Sequence, residues 1–166
     1  MSEEFPFIGR HELEMNSAFP DPHLIIWTAP PSRSVLQQVI HRIQPKSLTV
    51  FGLNPGLDDL DKFKLRLAGI AKYALAHMDG KTTLERVAAG CAADETTVIT
   101  GLRLWQAKGD FSVEFVGDSV YISPNAPEPD SKLCDEFESL LIDHLEESRA
   151  FRRYFQRDDI QALLNG

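Results

Sequence analysis

Two stretches rich in Pro, Gly and Asp divide this chain of 166 residues, and they constrain its fold more than any other feature. Residues 54–59 have the sequence NPGLDD, and residues 123–130 have the sequence SPNAPEPD. Pro and Gly interrupt regular structure, so such stretches are typical of linkers and domain edges. The chain is therefore expected to form three structured parts, one on each side of these stretches and one between them.

The segment before residue 54 has the pattern of a small βαβ unit. The apolar runs 24–27 and 48–51 are typical of short buried strands. Between them, apolar residues recur with helical spacing after Ser32 or Ser34, either of which can cap a helix, and Pro45 ends the pattern. Two continuous apolar strands joined by one helix predict a parallel pair.

The middle segment has the order of a winged helix-turn-helix. An amphipathic helix is predicted over residues 61–78, a short one over 84–91 after Thr82 or Thr83, and a third from Asp94 to Gly109. Two β-type runs then follow, separated by the tight turn Gly117-Asp118. In such a fold the third helix is the recognition helix and the hairpin is the wing.

The net charge of −8 is unevenly distributed, and its distribution decides which helix can meet a nucleic acid. The three parts 1–61, 62–123 and 124–166 carry −4, +1 and −5. Phosphate-backbone contact is therefore assigned to the first helix of the middle segment, with a solvated charged face as the alternative. Its candidate residues are Lys62, Lys64, Arg66 and Lys72.

The third helix offers few groups for base recognition. It begins with Asp94-Glu95, whose charge repels phosphate. If it nevertheless reads duplex DNA, as in a transcription regulator, the residues doing so are Thr96, Thr97, Thr100 and Arg103.

The last segment contains the densest basic cluster of the chain, between the apolar stripes 134–145 and 151–164. Arg149, Arg152 and Arg153 lie beside Tyr154 and Phe155, a combination that suits base stacking on single strands. The alternative is that the aromatic side chains pack a C-terminal helix onto its own domain while the arginines pair with nearby acids.

Catalytic and metal-binding patterns are missing from the sequence. The five histidines stand apart, and the acidic run 58–61 lacks the Gly and Glu of a calcium loop, so it is interpreted as a loop with an N-cap. Cys91 and Cys134 form no Cys pair or Cys/His cluster, which predicts neither a zinc site nor a disulfide scaffold. No catalytic residue, metal ligand or cofactor is expected in this chain.

The ordinary globular composition, with 43% hydrophobic residues, excludes wholesale disorder. Bilayer-spanning helices need about 18–20 apolar residues in a row, and the sequence has no such run. The acidic start lacks the basic-then-apolar order of a secretory signal. We therefore predict a cytoplasmic protein with no membrane contact.

The order of these parts resembles the C-terminal region of RecJ-type single-stranded-DNA-specific exonucleases. The resemblance covers roughly residues 20–166 and depends on three pieces: IIWxxPPS at 25–32, the middle segment with TTLERVAA at 82–89 and TVITGL at 97–102, and SxAFRRYF at 148–155. In that family a separate upstream core with Asp-His-His motifs and two divalent metal ions degrades single strands from 5′ to 3′. This sequence has no match to that core, so no catalytic residue carries over.

Together these patterns predict an α+β protein, an α/β mini-unit plus a winged helix. The predicted parts are a lead-in over 1–22, the βαβ unit over 23–57, a winged-helix-like domain over 58–123, a linker over 124–130 and a C-terminal helical arm over 131–166. The resemblance implies a fragment or free-standing tail that acts in DNA repair and recombination. It would dock a protein partner or an upstream nuclease core, and contact single-stranded DNA weakly. A winged-helix regulator and a pure protein-interaction module remain the alternatives.

Overall fold

The computed structural model describes residues 22–157, so most of the predicted lead-in and the final apolar stripe 160–164 lie outside the described residues. Five helices and five strands are found in this part of the chain, which confirms the α+β class. In order they are β1 (His23–Thr28), α1 (Arg33–Ile43), β2 (Ser47–Leu53), α2 (Leu60–His77), β3 (Lys81–Thr83), α3 (Leu84–Cys91), α4 (Glu95–Ala107), β4 (Ser112–Val116), β5 (Ser119–Ser123) and α5 (Ser131–Phe155).

The βαβ unit has the predicted parallel pairing, with His23 of β1 opposite Ser47 of β2. Ser32 caps α1 by accepting a hydrogen bond from the backbone N–H of Val35. One face of this two-stranded sheet packs on α1 and on Phe155 at the end of α5. The other face is uncovered in the described part of the chain, and it exposes the apolar side chains Ile25, Trp27, Phe51 and Leu53.

A second sheet has the strand order β3-β5-β4 and is antiparallel throughout. Strand β3 was not predicted, because its three residues Lys81–Thr83 are polar and too few to show a pattern. Gly80 leads into it with a φ of +75°, and a Cβ atom there would lie 2.0 Å from the carbonyl oxygen of Ile122. The turn between α2 and β3 therefore requires glycine.

Within the predicted C-terminal arm, α5 is one continuous helix of 25 residues that includes the first apolar stripe and the start of the second. Asp130 caps it by accepting from the backbone N–H of Leu133, and the helix packs along α4. Its first half contributes Leu141 and Leu145 to the main core, which lies between α2, α3, α4 and the second sheet. None of the helices in residues 22–157 has both the length and the apolar composition needed to cross a membrane.

Candidate nucleic-acid interface

The outward face of α2 is the surface on which three of the predicted cations meet exposed apolar side chains. Asp59 caps this helix through the backbone N–H of Lys62, 3.1 Å away. The core-facing stripe of α2 is buried, so the opposite stripe faces solvent. That opposite stripe consists of Lys62, Leu65, Arg66, Gly69, Lys72 and Tyr73.

This face forms one side of an open groove with a volume of about 870 Å³, which we call the α2 groove. The loop 55–57 lines its other side, and the Asn54 side chain holds that loop by accepting from the backbone N–H of Gly56 at 2.8 Å. Gly69 lies in the middle of the helical side, where an added Cβ would meet no atom within 4 Å. The groove is therefore wide enough at its centre for a ligand to approach the helix backbone.

The basic side chains of the groove are held in different ways. Arg66 donates from Nε to the carbonyl oxygen of Gly90 at 2.8 Å, which fixes its guanidinium beside the groove. Lys62 is exposed and lines the groove, whereas Lys72 is exposed on α2 outside the groove lining. The residues that line the groove in the described part of the chain include Lys62 and Arg66 and no acid, so the lining is positively charged. The exposed Asp61 immediately precedes Lys62 and lies 3.6 Å from Lys64 Nζ.

The prediction that Lys64 contacts nucleic acid together with the other α2 cations is corrected by the structure, because its side chain faces a neighbouring helix and not the groove. Its Nζ donates to Glu138 Oε1 of α5 at 2.9 Å and lies 3.6 Å from Asp61. The side chain is only 18% exposed. The hydrogen bond from Lys64 lowers the pKa of Glu138, so this carboxylate is ionised at neutral pH.

The residues predicted to read duplex DNA are not gathered on a free surface. Thr97 is fully buried, and its hydroxyl donates to Asp94 at 2.7 Å. Thr100 is also buried, and its hydroxyl donates to the carbonyl oxygen of Thr96, while Thr96 itself is exposed. Thr97 and Thr100 are therefore excluded as base-reading residues.

Arg103 is partly buried beside the hairpin. Its Nη1 donates to Gln106 at 2.9 Å, and its guanidinium lies 4.9 Å from the centre of the Phe115 ring. These contacts occupy the guanidinium within its own domain.

The position of α4 explains why its side chains are unavailable. At Gly101 an added Cβ would lie 2.6 Å from Leu67 and 2.9 Å from Phe63, so α2 lies very close on one side. On another side α5 packs along the helix. Enclosed in this way, α4 lacks the free face that a recognition helix places in a major groove.

The prediction that Arg152 contacts DNA is also corrected, because this residue is buried and only 1% exposed. Its guanidinium donates to the carbonyl oxygens of Ala29 and Ala92 and forms an ion pair with Asp58. Arg149 is half-buried and donates to the backbone carbonyl oxygen of Asp58. Arg153 alone of the three is exposed, so the predicted arginine cluster is not a single binding surface.

The acidic run 58–61 begins as the predicted loop with an N-cap, but Asp58 within it is buried. Its carboxylate is 6% exposed, and Oδ2 has no hydrogen-bond partner among the described residues. Burial raises the pKa of Asp58, while Arg152 and Arg149 act in the opposite direction. Asp59 fills the N-cap role that the acidic run suggested.

Leu65 and Tyr73 are the functional candidates that the sequence reasoning missed. They are 77% and 60% exposed, and the Tyr73 ring centre lies 4.8 Å from that of His77. Both lie off the core-facing stripe of α2 and are interleaved with Lys62, Arg66 and Lys72. That interleaving was the signal available in the sequence.

Two features relevant to catalysis can be checked in the described residues: the reactivity of the Cys91 thiol and the grouping of possible metal ligands. Burial raises the pKa of the Cys91 thiol to about 12, so this cysteine stays protonated and unreactive. Within residues 22–157, no three His, Cys, Asp or Glu side chains are grouped so as to hold a metal ion.

Comparisons of the chain with protein-family models, with curated proteins and with solved structures found no match.

Proposed function

We propose that this chain is a non-catalytic accessory module, like the C-terminal region of RecJ-type exonucleases, that contacts single-stranded DNA through the α2 groove. Its role is in DNA repair and recombination, beside a nuclease core or another protein partner. The observation that carries the proposal is the groove itself, whose lining among the described residues combines Lys62 and Arg66 with the exposed side chains of Leu65 and Tyr73 and includes no acid.

The charge of the groove suits a weak contact. Each Lys or Arg that neutralises a phosphate releases a counterion, so affinity falls as salt rises. Two or three such contacts on a chain of net charge −8 give modest affinity with a shallow salt dependence. This behaviour fits an accessory surface that assists another DNA-binding part.

The element order also supports a winged-helix-like middle domain. Helices α2, α3 and α4 precede the β4–β5 hairpin, and β3 joins that hairpin in a three-stranded sheet. We propose that this domain does not read duplex DNA, since α4 is enclosed and begins beside Asp94 and Glu95. The regulator alternative therefore has less support than the accessory module.

For the proposed docking of a protein, a separate surface is exposed in the part of the chain that the structure describes. Parallel sheets are usually covered on both faces, whereas the β1–β2 sheet exposes Ile25, Trp27, Phe51 and Leu53. Trp27 and Phe51 are in contact there, with ring centres 4.7 Å apart.

Fluorescence anisotropy with a labelled oligothymidylate and a duplex of equal length tests the proposal. At about 50 mM salt we expect weak binding of the single strand, and weaker binding at about 200 mM. The variant Lys62→Glu/Arg66→Glu should lose at least about tenfold in affinity, because two attractive contacts become repulsive.

The matched control is Arg33→Glu/Lys132→Glu, which makes the same change in net charge at two exposed positions that do not line the groove. Both positions lie in the first turn of a helix, where an acidic side chain is favourable. Its affinity should stay within about twofold of the parent. An equal loss in both double variants, or tighter binding of the duplex, would refute the proposal.

A further inference from the structure

The α2 groove contains more than a phosphate-binding surface needs. Contact with phosphates requires cations, yet two large side chains with apolar surface, Leu65 and Tyr73, are exposed beside them. They lie eight residues apart, which places them about 12 Å apart along the helix axis. Exposed aromatic rings among cations are the arrangement on which unpaired bases stack.

The length of the cationic stripe sets how much of a strand it can follow. Lys62 and Tyr73 are eleven residues apart, or about 16 Å along the axis. A stacked strand carries one phosphate per about 3.4 Å, so this distance matches about five nucleotides. The groove is open to solvent, and Gly69 leaves free space beside the helix at its centre, so a strand can approach it from outside.

We propose that the groove binds a short single strand of about five nucleotides with one base stacked on Tyr73 and phosphates beside Lys62 and Arg66. This inference rests on the proposed function and adds base contact to it. A duplex keeps its bases paired inside the helix, so stacking on Tyr73 selects single strands. The absence of acids from the stripe provides the charge complementarity for a polyanion.

An abasic strand separates base contact from backbone contact, because it keeps every phosphate and lacks the bases. Anisotropy titrations should show that the parent binds an oligothymidylate of about ten nucleotides about tenfold more tightly than an abasic strand of equal length. Tyr73→Ala should bind both strands with equal, weak affinity. Tyr73→Phe retains the aromatic face and should keep the preference for bases.

Tyr121→Ala is the control, since Tyr121 is also partly exposed and lies against a lysine, Lys81, but belongs to the hairpin. It should bind like the parent. Circular dichroism checks that each variant folds, and Ala at an exposed helix position such as 73 is favourable for folding.

The outcomes distinguish this inference from the proposed function. If the parent binds the abasic strand as tightly as the oligothymidylate, base stacking is refuted while backbone contact stands. The same conclusion follows if Tyr73→Ala keeps the preference for bases. If neither strand binds, both are refuted, and an acidic peptide becomes the ligand that the charge of the groove fits.

Discussion

At the scale of single residues, the guanidinium of Arg152 contacts three loops that are distant from one another in the sequence. It donates to Ala29 after β1, to Asp58 before α2, and to Ala92 between α3 and α4. Ala92 has a positive φ of 49°, so its carbonyl oxygen is turned out of the end of α3 toward the arginine. One side chain of α5 thereby fixes the βαβ unit against the helices that follow it.

The pair formed by Arg152 and Asp58 is expensive to bury. Burial raises the pKa of Asp58 and lowers the pKa of Arg152, and for both groups burial outweighs the attraction between them. Removing one partner leaves an isolated charge in the interior, which costs more than removing both. The pair therefore fixes the position of the βαβ unit against the following helices and adds little net stability.

Arg152→Met should lower the free energy of unfolding by about 3 kcal/mol or more, because the Asp58 carboxylate loses its counterion. Asp58→Asn/Arg152→Met should recover part of that loss, since no buried charge remains. Urea denaturation of the parent and the two variants provides the comparison. A double variant less stable than Arg152→Met would contradict this account of the pair.

The sequence could not identify this role. Arg152 lies between Arg149 and Tyr154 in a basic and aromatic cluster, which is equally typical of a nucleic-acid surface. Its partner Asp58 is 94 residues away, in a stretch whose composition indicates a loop. Only the path of α5 past three loops turns the arginine inward.

At the scale of elements, Glu138 connects three helices. It belongs to α5 and accepts from Lys64 of α2 at 2.9 Å, and Lys108 at the end of α4 lies 3.9 Å from the same oxygen. The hydrogen bond from Lys64 lowers the pKa of Glu138 below its ordinary 4.5. The folded chain therefore binds this proton less tightly than the unfolded chain does, and the ionised carboxylate stabilises the fold above the unfolded pKa.

Glu138→Gln should cost no more than about 1 kcal/mol at neutral pH, because the carboxylate is partly exposed and solvent weakens the pair. The difference from the parent should disappear as the pH falls through the lowered pKa of Glu138. Urea denaturation at neutral pH and well below the ordinary pKa measures both values. Glu136→Gln, an exposed change on the same helix, is the control.

A Glu138→Gln destabilisation of equal size at both pH values would contradict the role assigned to the ionised carboxylate. If Glu136→Gln shows the same pH-dependent loss of stability as Glu138→Gln, the effect is one of net charge and not of the ion pair.

The periodic elements were predictable, and the exceptions have physical causes. Helices α2, α3 and α4 follow their apolar spacing, and their N-cap residues are Asp59, Thr83 and Asp94. The single helix α5 appeared as two stripes because buried Ser148 and Arg152 lie on its core-facing side and interrupt the apolar pattern.

At the scale of the whole molecule, α5 holds two hydrophobic cores together. Leu141 and Leu145 belong to the main core, while Phe155, near the end of the same helix, belongs to the core of the βαβ unit. Phe155 lies so close to Gly52 that an added Cβ there would be 3.3 Å from its ring. The last turn of α5 thus depends on a glycine in β2.

This long-range packing also limits how much of the candidate site the sequence could predict. The cations of α2 were predictable because helix periodicity alone places Lys62, Arg66 and Lys72 off the core-facing stripe. The burial of α4 was not predictable, because it depends on α5, which begins at Ser131 and packs along α4. The groove also needs loop 55–57, whose position no periodic pattern determines.

We propose that single-stranded DNA binds in the α2 groove. The most direct test is to map backbone amide chemical shifts by NMR while the protein is titrated with an oligothymidylate. We predict that the largest shifts lie between residues 62 and 73 and in loop 55–57, and that a duplex of equal length causes smaller shifts there. Largest shifts in α4 and the β4–β5 hairpin with duplex DNA, or none with either ligand, would contradict it.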